Sequence, residues 1–157
     1  MTAPLMTSDW IETTLGIKAS APFVSITGVS IDTRTLVAGD LFDHLKVSQR
    51  YLARAAKILA GFDRVAVVLP GNHDFYSGAS DDFWKHFPLP EHGRVLLLDQ
   101  YRPYPLQDLG VNATLYPSHC NKKKSEKQNA LGWLEQCERA PGFFQIGIAH
   151  GSFEGLS

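Results

Sequence analysis

An α/β fold is what this sequence predicts, and three observations carry the prediction. From Gly39 onward, apolar runs of strand length alternate with stretches of helical period, the alternation of an α/β sheet domain. The run "DRVAVVLP" at 63–70 is apolar almost throughout, as expected of a strand buried on both faces of a sheet. Three runs, "VAGD" at 37–40, "VVLPGNHD" at 67–74 and "IGIAHG" at 146–151, end in small residues followed by polar ones. Sites in open α/β sheets form outside the C-terminal ends of the strands, so these polar groups are expected to converge.

Element by element, Thr7-Ser8-Asp9 ahead of "WIETTLGIK" predicts a capped short helix that stops at Gly16. "FVSITGVSI" (23–31) and "RTLVAG" (34–39) are β-rich, with "IDTR" as the turn between them. From Leu45 the period changes: Tyr51, Leu52, Ala55, Ile58 and Leu59 share one helical face, and Gly61 closes the helix. After the 63–70 strand, "SDDFWKHF" (80–87) reads as a short helix and "RVLLLD" (94–99) as a strand. "YRPYPLQDLG" reads as a Pro-rich loop, "VNATLYP" as a strand, "SEKQNALGWLEQCER" (125–139) as a helix and "FFQIGIA" (143–149) as the last strand. Trp84 and Trp133 lie on amphipathic stretches and are expected in the core.

Bulk properties narrow the function classes. The 157 residues are one domain's worth, and a net charge of −1 leaves no global electrostatic footprint for nucleic acid. The longest apolar runs are far too short to span a membrane, and "MTAPLMTSDW" lacks the basic start and apolar block of a signal peptide. Cys120 and Cys137 fall in no metal-binding spacing and make no disulfide framework, so a reducing, cytoplasmic setting is expected. "NKKKSEK" (121–127) reads as a solvated loop or as a phosphate-facing run, and His119-Cys120 precede it in a loop that can overhang a site. His44, His86 and His92 have no identifiable partners.

The chemistry rests on the three strand ends. Taken singly, Gly39-Asp40 is an ordinary turn and His150 an ordinary structural histidine. "GNHD" is more specific, since glycine permits a close backbone approach beside three consecutive polar side chains. Together a carboxylate, an Asn-His-Asp cluster and a histidine offer mixed oxygen and nitrogen donors, a set suited to Mn, Fe or Zn rather than Ca or Mg.

These residues carry a resemblance. "GDLFD" (39–43), "GNHD" (71–74) and "AHG" (149–151) resemble three motifs of the calcineurin-like metallophosphoesterases, nearest the branch that includes DNA-repair exonucleases. The resemblance implies a metallophosphoesterase-type α/β sandwich and a two-metal hydrolysis of phosphodiester or phosphomonoester bonds, with DNA, nucleotides or small phosphoesters as substrates. It implies that Asp40 bridges two metals and that Asn72 and His150 bind the second. His73 would donate a proton to the departing alkoxide, and Asp43 would orient its imidazole. Mn is the expected metal, with Fe or Zn as alternatives.

Two family motifs are not found. The opening Asp-x-His is absent, Ile11 standing where "TSDWIETTLG" would need histidine, and so is the closing Gly-His-x-His, with His150 seven residues from the last. One metal would keep only Asp40, so weak or absent activity is expected of this incomplete sandwich. Residues 5–42 resemble instead the first domain of a muramyl-peptide ligase that adds D-alanyl-D-alanine. The resemblance is carried by "GVSIDTRTLVAGDLF" (28–42). It implies that Ser30, Asp32, Thr33 and Arg34 face a UDP-linked sugar. The expected organisation is a small ligase-like αβ segment at 1–38 and a partial phosphoesterase domain at 39–157, joined at the shared "GDLF". The alternative functions are a UDP-precursor binding module and a non-functional chimeric fragment. Oligomeric state is not legible in the sequence.

Overall fold

A computed structural model of the chain describes residues 35–62, 65–90, 95–124, 132–138 and 144–151. The first sheet is parallel throughout, with β1 (Thr35–Ala38), β2 (Ala66–Leu69) and β3 (Val95–Leu97) in that order. Thr35 is in register with Ala66, and Ala66 in turn with Val95. Helix α1 (Gln49–Ala60) makes the crossover between β1 and β2. A second sheet runs β4 (Tyr104–Pro105), β5 (Ala113–Ser118) and β6 (Phe144–Ala149); β4 pairs antiparallel and β6 parallel with β5.

The unbroken apolar sequence of β2 follows from its place between two layers. Successive strand side chains point to opposite faces, so Ala66 and Val68 join the cluster that holds Leu52, Ala55, Ala56 and Leu59 of α1. Val67 and Leu69 join the opposite cluster, with Leu98, Leu115 and Ile148. The order of layers is therefore helix, first sheet, second sheet, the α/β sandwich expected. The helical face is slightly rotated from the one read in the sequence: Ala56 is buried, whereas Tyr51 is 55% exposed.

Two expected helices are 3-10 rather than α where they are described. Residues Phe83–His86 form a 3-10 turn rather than a helix over 80–87. Phe87 is held extended, as the residue before Pro88 tends to be, and this stops the turn. The Asp82 carboxylate binds its start, accepting from Trp84 N at 3.0 Å, Ser77 N at 2.7 Å and Gly78 N at 3.1 Å. Within 125–139, the described part is a 3-10 turn at Gly132–Gln136. Trp133 there is half-buried rather than core. Its ring lies 6.2 Å from Tyr116 and its Nε1 donates to Pro117 O, so the side chain clips the turn onto β5. The "YRPYPLQDLG" loop contains β4 and a 3-10 turn at Gln107–Leu109, because Tyr104 and Pro105 pair with Leu115 and Thr114.

The expected N-terminal helix, the 23–31 strand and the ligase-type residues Ser30, Asp32, Thr33 and Arg34 lie outside the described residues, as does His92. Residues 35–38, assigned from the sequence to the N-terminal segment, pair with β2 along their whole length.

Candidate metal centre

Four strand ends meet on one side of the sandwich. The loop after β5 reaches the loop after β2, where Cys120 N donates to Pro70 O at 3.1 Å and Tyr76 N donates to Cys120 O at 2.9 Å. The loop after β6 reaches β1, where His150 Nδ1 lies 2.9 Å from Ala38 O. Placed this way, all five residues singled out from the sequence come together.

Asp40 uses its two oxygens differently. Oδ1 accepts from the backbone N–H of His73 at 2.9 Å, while Oδ2 lies 3.4 Å from His150 Nε2. His150 Nε2 is also 2.8 Å from Asn72 Oδ1. In a neutral imidazole the Ala38 carbonyl takes the Nδ1 proton, which leaves a lone pair on Nε2 facing two oxygens. With the Asn72 oxygen turned inward, three acceptors face one another and favour a positive charge among them. A histidine whose second nitrogen donates to a backbone carbonyl is also the usual arrangement of a metal ligand.

His73 stands beside this cluster with a different partner. Its Nδ1 lies 3.2 Å from Asp43 O and 3.3 Å from Asp43 Oδ1, so Nδ1–H donates to Asp43 and Nε2 is directed away from it. His73 is 41% exposed and Asp43 72% exposed. This pairing orients the ring more than it stabilises the fold, because solvent screens exposed ion pairs.

Backbone geometry brings the cluster this close. Gly39 has φ +99°, and a Cβ there would overlap the His150 ring. A Cβ on Gly71 would overlap the carboxylate and amide of Asp40. Asp40 itself has φ +52°, a left-handed conformation that aspartate tolerates better than most residues.

Asp74 was quoted within "GNHD" but given no role from the sequence, and the structure gives it one. Its fully buried carboxylate accepts from Gly71 N at 2.6 Å and from Phe42 N at 2.9 Å, fastening the loops after β1 and β2 together. Burial raises its pKa from 3.8 to about 6, against the opposing pull of those two N–H groups. The Phe42 ring packs 5.5 Å from Phe83 and 5.6 Å from Trp84, and Trp84 Nε1 donates to Asp74 O. The only signal in the sequence was a third polar residue in a motif whose other two, Asn72 and His73, already carried the expected roles.

Cys120 borders the centre, its thiol 3.5 Å from His150 O. Burial, helped by the charges of Asp40 and Asp74, pushes its pKa up to about 11, so it stays a thiol rather than a thiolate ligand. Among the described residues no three His, Cys, Asp or Glu side chains group so as to hold a metal ion. The candidate set reaches three donors only through the amide oxygen of Asn72.

The sequence model of the calcineurin-like phosphoesterases matches residues 32–155, most of the chain. The chain belongs to that family. Comparison with curated proteins and with solved structures finds no match. As a calcineurin-like phosphoesterase it falls among metal-dependent hydrolases of phosphate esters, whose members generally use divalent metals. The phosphoesterase match begins at residue 32, so it takes in Asp32, Thr33, Arg34 and the whole of "GDLF". Among the described residues no helix is long and apolar enough to cross a membrane.

Proposed function

We propose that this chain binds a divalent cation through Asp40, Asn72 and His150 and hydrolyses phosphodiester or phosphomonoester bonds, with His73 and Asp43 assisting the leaving group. The observation that carries the reading is the meeting of Asp40 Oδ2, Asn72 Oδ1 and His150 Nε2 within 3.4 Å of the imidazole nitrogen. Mixed oxygen and nitrogen donors fit Mn, with Fe or Zn as alternatives. A cation bound there would polarise a phosphoryl oxygen as a Lewis acid.

The protein's own groups divide the remaining work. Asp40 keeps one oxygen on the His73 amide, so its second oxygen is fixed in direction. The Ala38 carbonyl fixes the plane of the His150 ring. In the reaction a water oxygen bonds to phosphorus, its proton passing to bulk water, and the bond to the leaving oxygen breaks. That oxygen takes a proton from Nε2 of His73 in its imidazolium form, while Nδ1–H stays with Asp43 and holds the ring at its angle. Asp40 is the only donor this reading offers to a second cation, so one cation per chain and slow turnover are expected. The partner is a phosphoester, with DNA and nucleotides in its range. Two free cysteines suit a reducing, cytoplasmic setting.

The test is hydrolysis of bis(4-nitrophenyl) phosphate by protein purified with Mn, with metal content measured alongside. Turnover should require Mn, stop with EDTA and be lost in Asn72→Ala. His73→Ala should lower kcat by about 10²–10⁴-fold. Absence of both bound metal and turnover overturns the reading.

A further inference from the structure

The loop that follows β5 carries charge and aromatic surface that the proposed chemistry leaves unused. Cys120 is pinned to the centre by its N–H to Pro70 O at 3.1 Å and by its carbonyl, which accepts from Tyr76 N at 2.9 Å. From there the chain passes through Asn121 into Lys122, Lys123 and Lys124, all three exposed. A chain extends at most ~3.6 Å per residue, so the Lys122 Cα lies within about 7 Å of the Cys120 Cα and that of Lys124 within about 14 Å. Three exposed lysines therefore follow within that reach of a centre whose own side chains include the carboxylates of Asp40, Asp43 and Asp74.

Beside the run lies an aromatic shelf. The Tyr101 ring stacks on His119 at 4.3 Å, with its hydroxyl donating to His119 O at 2.8 Å, and Trp133 follows 6.4 Å from Tyr101. Tyr101 is 36% exposed and Trp133 is half-buried, so both present ring surface to solvent. Glu135 and Glu138 on the Trp133 segment are exposed as well.

We infer that Lys122, Lys123 and Lys124 bind phosphate groups flanking the scissile one, so that the preferred substrate is a phosphoester carrying a chain of further phosphates. This rests on the phosphoesterase reading of the Asp40 centre. The lysines follow Cys120 along the loop and are not among the metal donors, so they recognise phosphates beyond the reacting group. Such a chain comes either from an oligonucleotide, whose bases would stack on Tyr101 and Trp133, or from a polyphosphate, which would ignore the shelf. Backbone contacts by lysine with base stacking on aromatic rings is how sequence-tolerant single-strand sites are built.

The experiment measures binding of a fluorescein-labelled oligothymidylate to the full chain in EDTA by anisotropy, with inorganic tripolyphosphate as competitor. Three lysine contacts predict a binding constant falling by about twenty-fold between 50 and 200 mM salt, from about 0.7 ions released per contact. The triple substitution Lys122→Ser, Lys123→Ser, Lys124→Ser should weaken binding at the lower salt by about ten-fold or more and flatten that dependence. Base recognition predicts further weakening in Tyr101→Leu, whereas a polyphosphate ligand predicts competition by tripolyphosphate that Tyr101→Leu leaves unchanged. Unaltered affinity in the triple variant, or binding of neither probe by wild type, overturns the inference. Hydrolysis of bis(4-nitrophenyl) phosphate in Mn separates the two readings. If it is present while the triple variant binds normally, only this inference falls. If it is absent while lysine-dependent binding persists, only the catalytic reading falls.

Discussion

Gly39 and Gly71 decide how closely the metal donors approach. Because a Cβ on Gly39 would enter the His150 ring, and φ there is +99°, Gly39→Ala must displace either the ring or the turn. Loss of an orienting contact typically costs about 10–100-fold in metal affinity. Calorimetric titration of Gly39→Ala with Mn should show at least that loss. Asp74 presents a second case at this scale. Asp74→Asn turns one carboxylate oxygen into an NH₂ group facing a backbone N–H, which should cost about 1–3 kcal/mol of stability. Its raised pKa also has a sign. The metal-free native state holds this proton up to about pH 6, whereas the unfolded chain releases it near 3.8. The associated stability is complete below pH 3.8 and is lost as the pH rises to about 6. In EDTA, urea midpoints of wild type and Asp74→Asn should therefore draw closer between pH 4 and pH 6. A gap that widens over that window contradicts the account. The donor positions were legible because polar residues stood out at the ends of apolar runs. The left-handed backbone of Asp40 and the fastening role of Asp74 were not, since both depend on contacts across more than thirty residues.

Among the elements, β2 was the most legible and the 3-10 turns the least. An apolar run such as "VAVVLP" admits one comfortable place, between two layers, and Val67 and Val68 pack in opposite directions as that place requires. The α1 face was nearly right for a similar reason: Leu52, Ala55 and Leu59 have a period that only a helix satisfies. Leu52 is fully buried, and Leu52→Ala should cost about 2–5 kcal/mol in denaturant unfolding. The short helix expected at 80–87 is a 3-10 helix confined to Phe83–His86, its geometry set by Asp82 and by the prolines that follow. Asp82→Ala removes the acceptor for Ser77, Gly78 and Trp84 together. A loss of about 1–3 kcal/mol should register as a lower thermal midpoint. β4 escaped detection since two residues carry no periodicity at all; only pairing with β5 defines it.

In the molecule as a whole, two sheets and four loops serve one centre. β1 and β2 come from the first sheet, β5 and β6 from the second, and the hydrogen bonds from Cys120 to Pro70 and from His150 to Ala38 tie their ends together. The α/β class was readable from alternating elements. The sandwich of two sheets was implied by the family resemblance rather than by the alternation, because the pairing partner of β5 is a matter of long-range register. The central claim is that this convergence holds a divalent cation through Asp40, Asn72 and His150 while His73 serves the leaving group instead. Mn titration followed by paramagnetic resonance tests it most directly, on wild type, Asn72→Ala and His73→Ala. The account predicts one bound Mn per chain in wild type, severe loss of binding in Asn72→Ala and near-normal binding in His73→Ala. Wild type that binds no Mn, or Asn72→Ala that binds it as wild type does, would contradict the account.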